Sequence, residues 1–262
     1  ATIKKNGAGV MLSYLVSDDN IQGIDKVVHL DGVEQNKGYC IPLYGTDKFI
    51  YHTELLLETG FVHNVSVGYE APLEIQIPYT NDIKIAYISD EHYSANEETT
   101  EKMLRVLKHK APDMIIHGGD WVIDEGGQSH AGRWLKYLDK AMRIINADRI
   151  IPFGPPTIGN HDHVGEGRGG DWSSHWFGVP SDVKFLHDIF PFDDSTAQKG
   201  YGVVDLGEDI SIFVVDTCTN KIEGEQFNWL QTQSNQRKNR KNIVVQHIPL
   251  FPSHRERNVN SI

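Results

Sequence analysis

The sequence predicts an α/β domain preceded by a small all-β domain, on three observations. Residues 1–75 carry short, evenly spaced segments rich in Val, Ile, Tyr and Phe, with no helical period. From residue 83 the pattern changes to strand, helix, strand, and this second part, 83–262, has its last strand at 242–246. Within that second part, four apolar runs each lead into a side chain able to hold a metal: Asp90, Asp120, Asn160 and His247.

In the first part the expected strands are 10–16, 26–30, 39–44, 49–57 and 61–67. Turn residues divide them: Asp18-Asp19-Asn20, Asp31-Gly32, Gly45-Thr46-Asp47 and Glu58-Thr59-Gly60. A junction follows over 71–82, with one more short strand at 73–77, and the whole reads as a small β-sandwich. The second part opens with a strand at 83–89. Residues 96–110 then place Met103, Leu104 and Leu107 on one helical face, with Glu97 and Glu98 in the first turn, where the helix dipole favours acids. Pro112-Asp113 ends that helix, and 114–117 is the next strand. Residues 129–145 repeat the helical period through Trp134, Leu135, Leu138, Met142 and Ile145. A strand from Arg149 leads into Asn160. Residues 164–200 lack periodicity and read as a long loop region over the site. Strands at 201–206 and 210–216 form a hairpin, 225–236 is a helix, and 242–246 is the last strand. Alternation of this kind argues for parallel crossovers, and in such sheets ligands collect beyond the carboxyl ends of the strands, where Asp90, Asp120, Asn160 and His247 stand.

Composition is that of an ordinary globular chain: 262 residues, 39% hydrophobic, with 24 Gly and 11 Pro. A formal charge of −11 argues against gripping a nucleic-acid backbone by charge, which needs a basic face. No apolar run approaches the length of a membrane-crossing helix, and the first residues lead into no apolar signal core, although a signal already removed would leave the same picture. Cys40 and Cys218 fall in different parts, so two buried thiols are expected rather than a disulfide.

The densest chemistry is Gly159-Asn160-His161-Asp162-His163. Asn offers a neutral oxygen ligand, His a nitrogen ligand or acid, and Asp can hold a His in one tautomer. Taken alone, such a run is an ordinary polar loop. Its companions Asp90-Glu91-His92, Gly119-Asp120 and His247, each after an apolar run, make a metal site the better reading. His117 reads as packing, His254 as a solvated loop residue, Arg168 as part of an exposed Gly-rich loop, and His163 and His175 as secondary substrate contacts. Trp121, Trp172 and Trp176 read as core or rim. The run Lys238-Asn239-Arg240-Lys241 reads as the solvated end of a helix.

With Asp90-x-His92, Gly119-Asp120, Gly159-Asn160-His161-Asp162 and His247 in that order, the chain resembles the calcineurin-like metallophosphoesterases over about residues 83–254. Gln226, Trp229 and Leu230 ahead of the His247 strand fit the same resemblance. The run His52, Leu55, Leu57-Glu58-Thr59-Gly60, Val67-Gly68 is similar to the fibronectin type III-like domain that precedes the catalytic domain in purple acid phosphatases. The resemblance implies a metallophosphoesterase-type β-sandwich flanked by helices over 83–262, and a phosphatase-like hydrolase. It implies two metal ions, from among Mn, Fe and Zn. Asp90 and His92 would ligate the first, Asp120 would bridge, and Asn160 and His247 would ligate the second. His161 would be the general acid, with Asp162 orienting it. The implied reaction is phosphoester hydrolysis, of monoesters first, by a hydroxide held on the metals.

Three departures accompany the resemblance. His92 stands where purple acid phosphatases have Gly, and Ile123 where they have the Tyr that colours their iron centre. The family's later Gly-His-x-His motif has no counterpart after His247, which predicts that the catalytic domain is C-terminally incomplete here. A phosphodiesterase or nuclease, and a truncated or degenerate binding or structural module, stay open as alternatives. The partner implied is a small phosphoester; nothing in the sequence indicates a membrane or an oligomeric state.

Overall fold

The structure is a computed structural model and describes residues 2–3, 9–16, 27–35, 38–43, 47–68, 70–77, 83–93, 95–121, 130–155, 157, 159, 201–217, 222 and 224–249. The first part runs β1 (Thr2–Ile3), β2 (Gly9–Val16), β3 (Val28–Leu30), β4 (Val33–Glu34), β5 (Tyr39–Pro42), β6 (Phe49–Leu56), β7 (Val62–Val67) and β8 (Leu73–Gln76). The strands make two sheets. One has the order β1-β2-β6-β5, antiparallel throughout. The other places β8, β7, β3 and β4 side by side, also antiparallel. Alternation along β2 and β6 turns Val10, Leu12 and Leu55 onto one face, where they meet Val28, Val65 and Ile75 of the second sheet. The β3–β4 hairpin turns on Asp31-Gly32, both at positive φ (51° and 79°), as a two-residue turn requires.

The second part continues β9 (Ile85–Ile88), α1 (Glu97–Lys110), β10 (Met114–His117), α2 (His130–Ile145), β11 (Arg149–Ile150), β12 (Gly202–Leu206), β13 (Ile210–Val214), α3 (Gly224–Gln236) and β14 (Lys241–Val245). β9 and β10 pair in parallel through the α1 crossover, and β13 pairs in parallel with β14 through α3. β12 and β13 form the antiparallel hairpin. All of these strands match the expected segments to within a few residues.

The strand expected to run from Arg149 to Asn160 is shorter. β11 is two residues long and joins β8 of the first part in parallel. Pro152 and Pro155 supply no N–H, so a ladder cannot continue through them. What pairing remains is local: Ile115 donates to the Pro152 carbonyl and Gly154 to the Ile115 carbonyl. β1 and β4, two residues each, carry no period and have no counterpart among the expected strands. Cys40 is exposed and free, not buried as expected, because β5 lies at the edge of its sheet.

Two apolar clusters hold the fold. In one, α1 and α2 pack Leu104, Leu107, Tyr137, Leu138 and Ala141 with Trp121 and Phe153. Partly exposed Lys136–Glu97 and Lys140–Glu101 pairs line the helix contact. The other joins the two sheets of the first part to Met114, Ile116, Val204, Ile212 and Val214. At the far side, Arg237 holds Asp205 of β12 through two bonds (2.8 and 3.0 Å), and Arg240 bonds Ser211 and two backbone carbonyls. The basic run after α3 is therefore partly anchored, not wholly solvated.

Candidate metal centre

The site is built where β9, β10 and β14 end. Two loops leave β9 and β10 side by side, and their backbones stay paired beyond the strands. Gly118 N–H donates to the Ile88 carbonyl, Asp90 N–H to Gly119, His92 N–H to Asp120 and Tyr93 N–H to Trp121, at 2.7–3.1 Å. This ladder sets the Asp90–His92 loop against the Gly119–Asp120 loop.

The backbone there is unusual. Five non-glycine residues among those described have positive φ, and three of them are Asp90 (61°), His92 (45°) and Asp120 (56°). The left-handed region costs an L-residue about 1–2 kcal/mol, and strain of this kind gathers where side-chain placement matters more than local stability. Gly159 also closes on Asp120. Gly159 lies so close that a Cβ on it would overlap the Asp120 amide and carboxylate. The residue at this position must therefore be glycine for Asp120 to stay where it is.

Asp120 is 2% exposed, and its Oδ2 faces two imidazoles. His247 Nε2 lies 3.3 Å away and His92 Nε2 3.6 Å away. Asp90, Asp120 and His247 place one ligand atom each within 4.8 Å of one another. His92 reaches Asp120 from beside that group. The His247 ring faces the Gly118 carbonyl through Nδ1 at 2.9 Å, which assigns the Nδ1–H tautomer in the neutral ring and leaves Nε2 as the ligand atom. Burial pushes the His247 pKa down, but the Asp120 carboxylate outweighs it, helped by Gly118 and Asp90, and holds it above the usual histidine value. Such a donor set of carboxylates and imidazoles suits a borderline divalent or trivalent cation. A buried carboxylate between two ring nitrogens also supplies the negative charge that cation would neutralise.

Of the residues expected at the site, Asp90, His92, Asp120 and His247 are thus brought together. Asn160, His161 and Asp162 lie outside the described residues, as do His163, Arg168, Trp172, His175 and His254. Gln226 is accounted for structurally: its amide accepts from the Asp216 N–H (2.7 Å) and donates to the Asp216 carbonyl (2.9 Å), tying α3 to the end of β13. Trp121 is fully buried core and donates to the Thr157 carbonyl. Sequence reasoning missed Glu91, whose buried carboxylate meets His117, itself read as packing. The only signal was Glu91's position between two residues expected at the metal site.

The family model for calcineurin-like phosphoesterases matches residues 83–261. The chain belongs to the calcineurin-like phosphoesterases. No curated protein sequence matches it. Among solved structures it is similar to a purple acid phosphatase from yellow lupin (Lupinus luteus) seeds, with a TM-score of 0.62 and 13% identity. That match covers 88% of this chain and 46% of the phosphatase. It is also similar to PhoD, with a TM-score of 0.57 and 13% identity over 92% of this chain and 60% of that one. At such identity the likeness is one of fold. It extends through the all-β first part as well as the family domain, and the chain spans about half of the lengths of these two structures.

Proposed function

We propose that this calcineurin-like phosphoesterase chain hydrolyses phosphomonoesters at a centre of two metal ions. The observation that carries this reading is the convergence of two imidazoles on one buried carboxylate oxygen, Asp120 Oδ2, with Asp90 beside it. A buried carboxylate flanked by further ligand side chains is placed to bridge two adjacent cations. Asp90 and His92 would hold one ion, Asn160 and His247 the other, and Asp120 would serve both. Such a pair of ions, when bound, supplies Lewis acidity toward the phosphoryl oxygens and an activated water.

The chain's own residues do the rest. His247 is kept in a ligating tautomer by Gly118. Asp120 is hemmed in by Gly159, which leaves no room for a side chain there. His161, next to the Asn160 ligand, donates a proton to the leaving oxygen of the ester, and Asp162 keeps its ring in the donating tautomer. The preference for monoesters is supported by the purple acid phosphatase likeness, which includes the first part of the chain.

The test is turnover of a nitrophenyl phosphate monoester and of the corresponding diester, with Mn, Fe or Zn supplied. The expected result is metal-dependent hydrolysis favouring the monoester. His161→Ala should lower kcat by about 100-fold or more while bound metal stays the same. A diester preference would move the substrate class. No hydrolysis of either ester by metal-loaded protein would overturn the catalytic reading in favour of a binding module.

A further inference from the structure

Beneath the ligands, between the two loops, lies an acid–imidazole pair with no part in the reaction as described. Glu91 sits between Asp90 and His92, and His117 is the last residue of β10, three before Asp120. Their side chains are 1% and 0% exposed, and Glu91 Oε2 lies 2.6 Å from His117 Nε2. The approach is close but poorly aligned for a hydrogen bond. Neither the Glu91 carboxylate nor His117 Nε2 has another hydrogen-bond partner among the described residues. The far side of the His117 ring is fixed: Nδ1 accepts from the Gly119 N–H at 3.0 Å, so in the neutral ring the proton is assigned to Nε2, facing Glu91. The ring also stacks on Trp121, with centroids 3.5 Å apart and planes 15° from parallel.

A stability role explains this poorly. A buried acid with one imperfect partner is costly, and an apolar pair of the same volume would hold the loops as firmly. What an apolar pair would not give is a short polar contact, 2.6 Å across, between the segments that carry Asp90, His92 and Asp120. We propose that Glu91 and His117 are a positioning pair: their contact fixes the separation of the two ligand-bearing loops and so the spacing of the metal-holding side chains. This role rests on the metal-dependent reading above. Groups that orient metal ligands from behind commonly change metal affinity by about 10–100-fold when removed.

Cobalt(II) titration of the full chain tests the pair, because visible absorption reports coordination geometry without turnover. Glu91→Leu should weaken cobalt binding by about 10–100-fold and shift the visible bands, and His117→Phe, which keeps the stack on Trp121, should do the same. Glu91→Gln keeps an acceptor for His117 and should restore affinity and spectrum to nearly those of the parent. The double variant Glu91→Leu/His117→Phe should bind no worse than either single one, since both remove the same contact. Parent-like affinity and bands in Glu91→Leu, or additive losses in the double variant, would overturn the pair while leaving the metal centre standing. A Glu91→Gln protein as weak as Glu91→Leu would also overturn it, by making buried charge rather than position the cause. Should Glu91→Leu fail to fold by circular dichroism, His117→Phe decides on the same criteria. A parent chain that binds no cobalt would overturn the metal-dependent reading itself, and this role with it.

Discussion

Among the described residues of the site, His247 beside Asp120 responds to pH. Asp120 favours the protonated imidazole and burial opposes it, and the carboxylate prevails. In the metal-free chain, the folded pKa of His247 therefore lies above its unfolded value. Its contribution to stability is complete below the ordinary value of 6.5 and is lost as pH rises through the raised one. Metal binding runs the other way, since it needs Nε2 without its proton. Affinity should climb with pH across the same interval. Asp120→Asn removes the group that raises the pKa and leaves the burial that lowers it. The His247 midpoint, followed by NMR of the ring protons, should then fall, and maximal metal affinity should fall with it. An unmoved midpoint would mean that Asp120 does not control this histidine.

Among the elements, α1 shows how local rules and their exceptions divide. Its acids lie in the first turn and Lys108, His109 and Lys110 in the last, as the dipole prefers. Its cap breaks the rule: Ala111 takes a left-handed conformation at φ 46°, where its N–H donates to Leu107 and Lys108. Ala111→Gly should stabilise the chain by about 1 kcal/mol, the strain that a Cβ carries there, read as a higher urea midpoint with an unchanged slope. The helices were legible because a 3.6-residue period in apolar residues survives tertiary packing. Asp90, Asp120 and His247 were legible because each follows an apolar strand that needs no long-range information to recognise. The strand starting at Arg149 was legible too, but not its stop after two residues nor its partner β8, which is more than 70 positions away in sequence. Nor was the Glu91–His117 contact: neither residue is unusual until the β9–β10 pairing brings them together.

Over the whole molecule, the sequence boundary near residue 80 is not a boundary in packing. Met114 and Ile116 of the phosphoesterase part share one core with Val10, Leu55 and Ile75 of the sandwich, and β11 adds a strand to the sandwich itself. Calorimetry should therefore show one unfolding transition for both parts. Met114, 0% exposed in that core, should cost about 2–5 kcal/mol when cut to Ala and shift the single transition as a unit. Two separable transitions, with only one moved, would refute the shared core. The left-handed residues of the site have a further consequence for how this chain would respond to selection. Asp90, His92 and Asp120 occupy backbone conformations that glycine and asparagine tolerate better. A search for heat-resistant variants of the metal-free protein would be drawn to Gly at those three positions, each change easing the backbone while removing a side chain that a metal would need. Durability and chemistry compete here for the same residues, so robustness would have to be sought in the cores and caps instead.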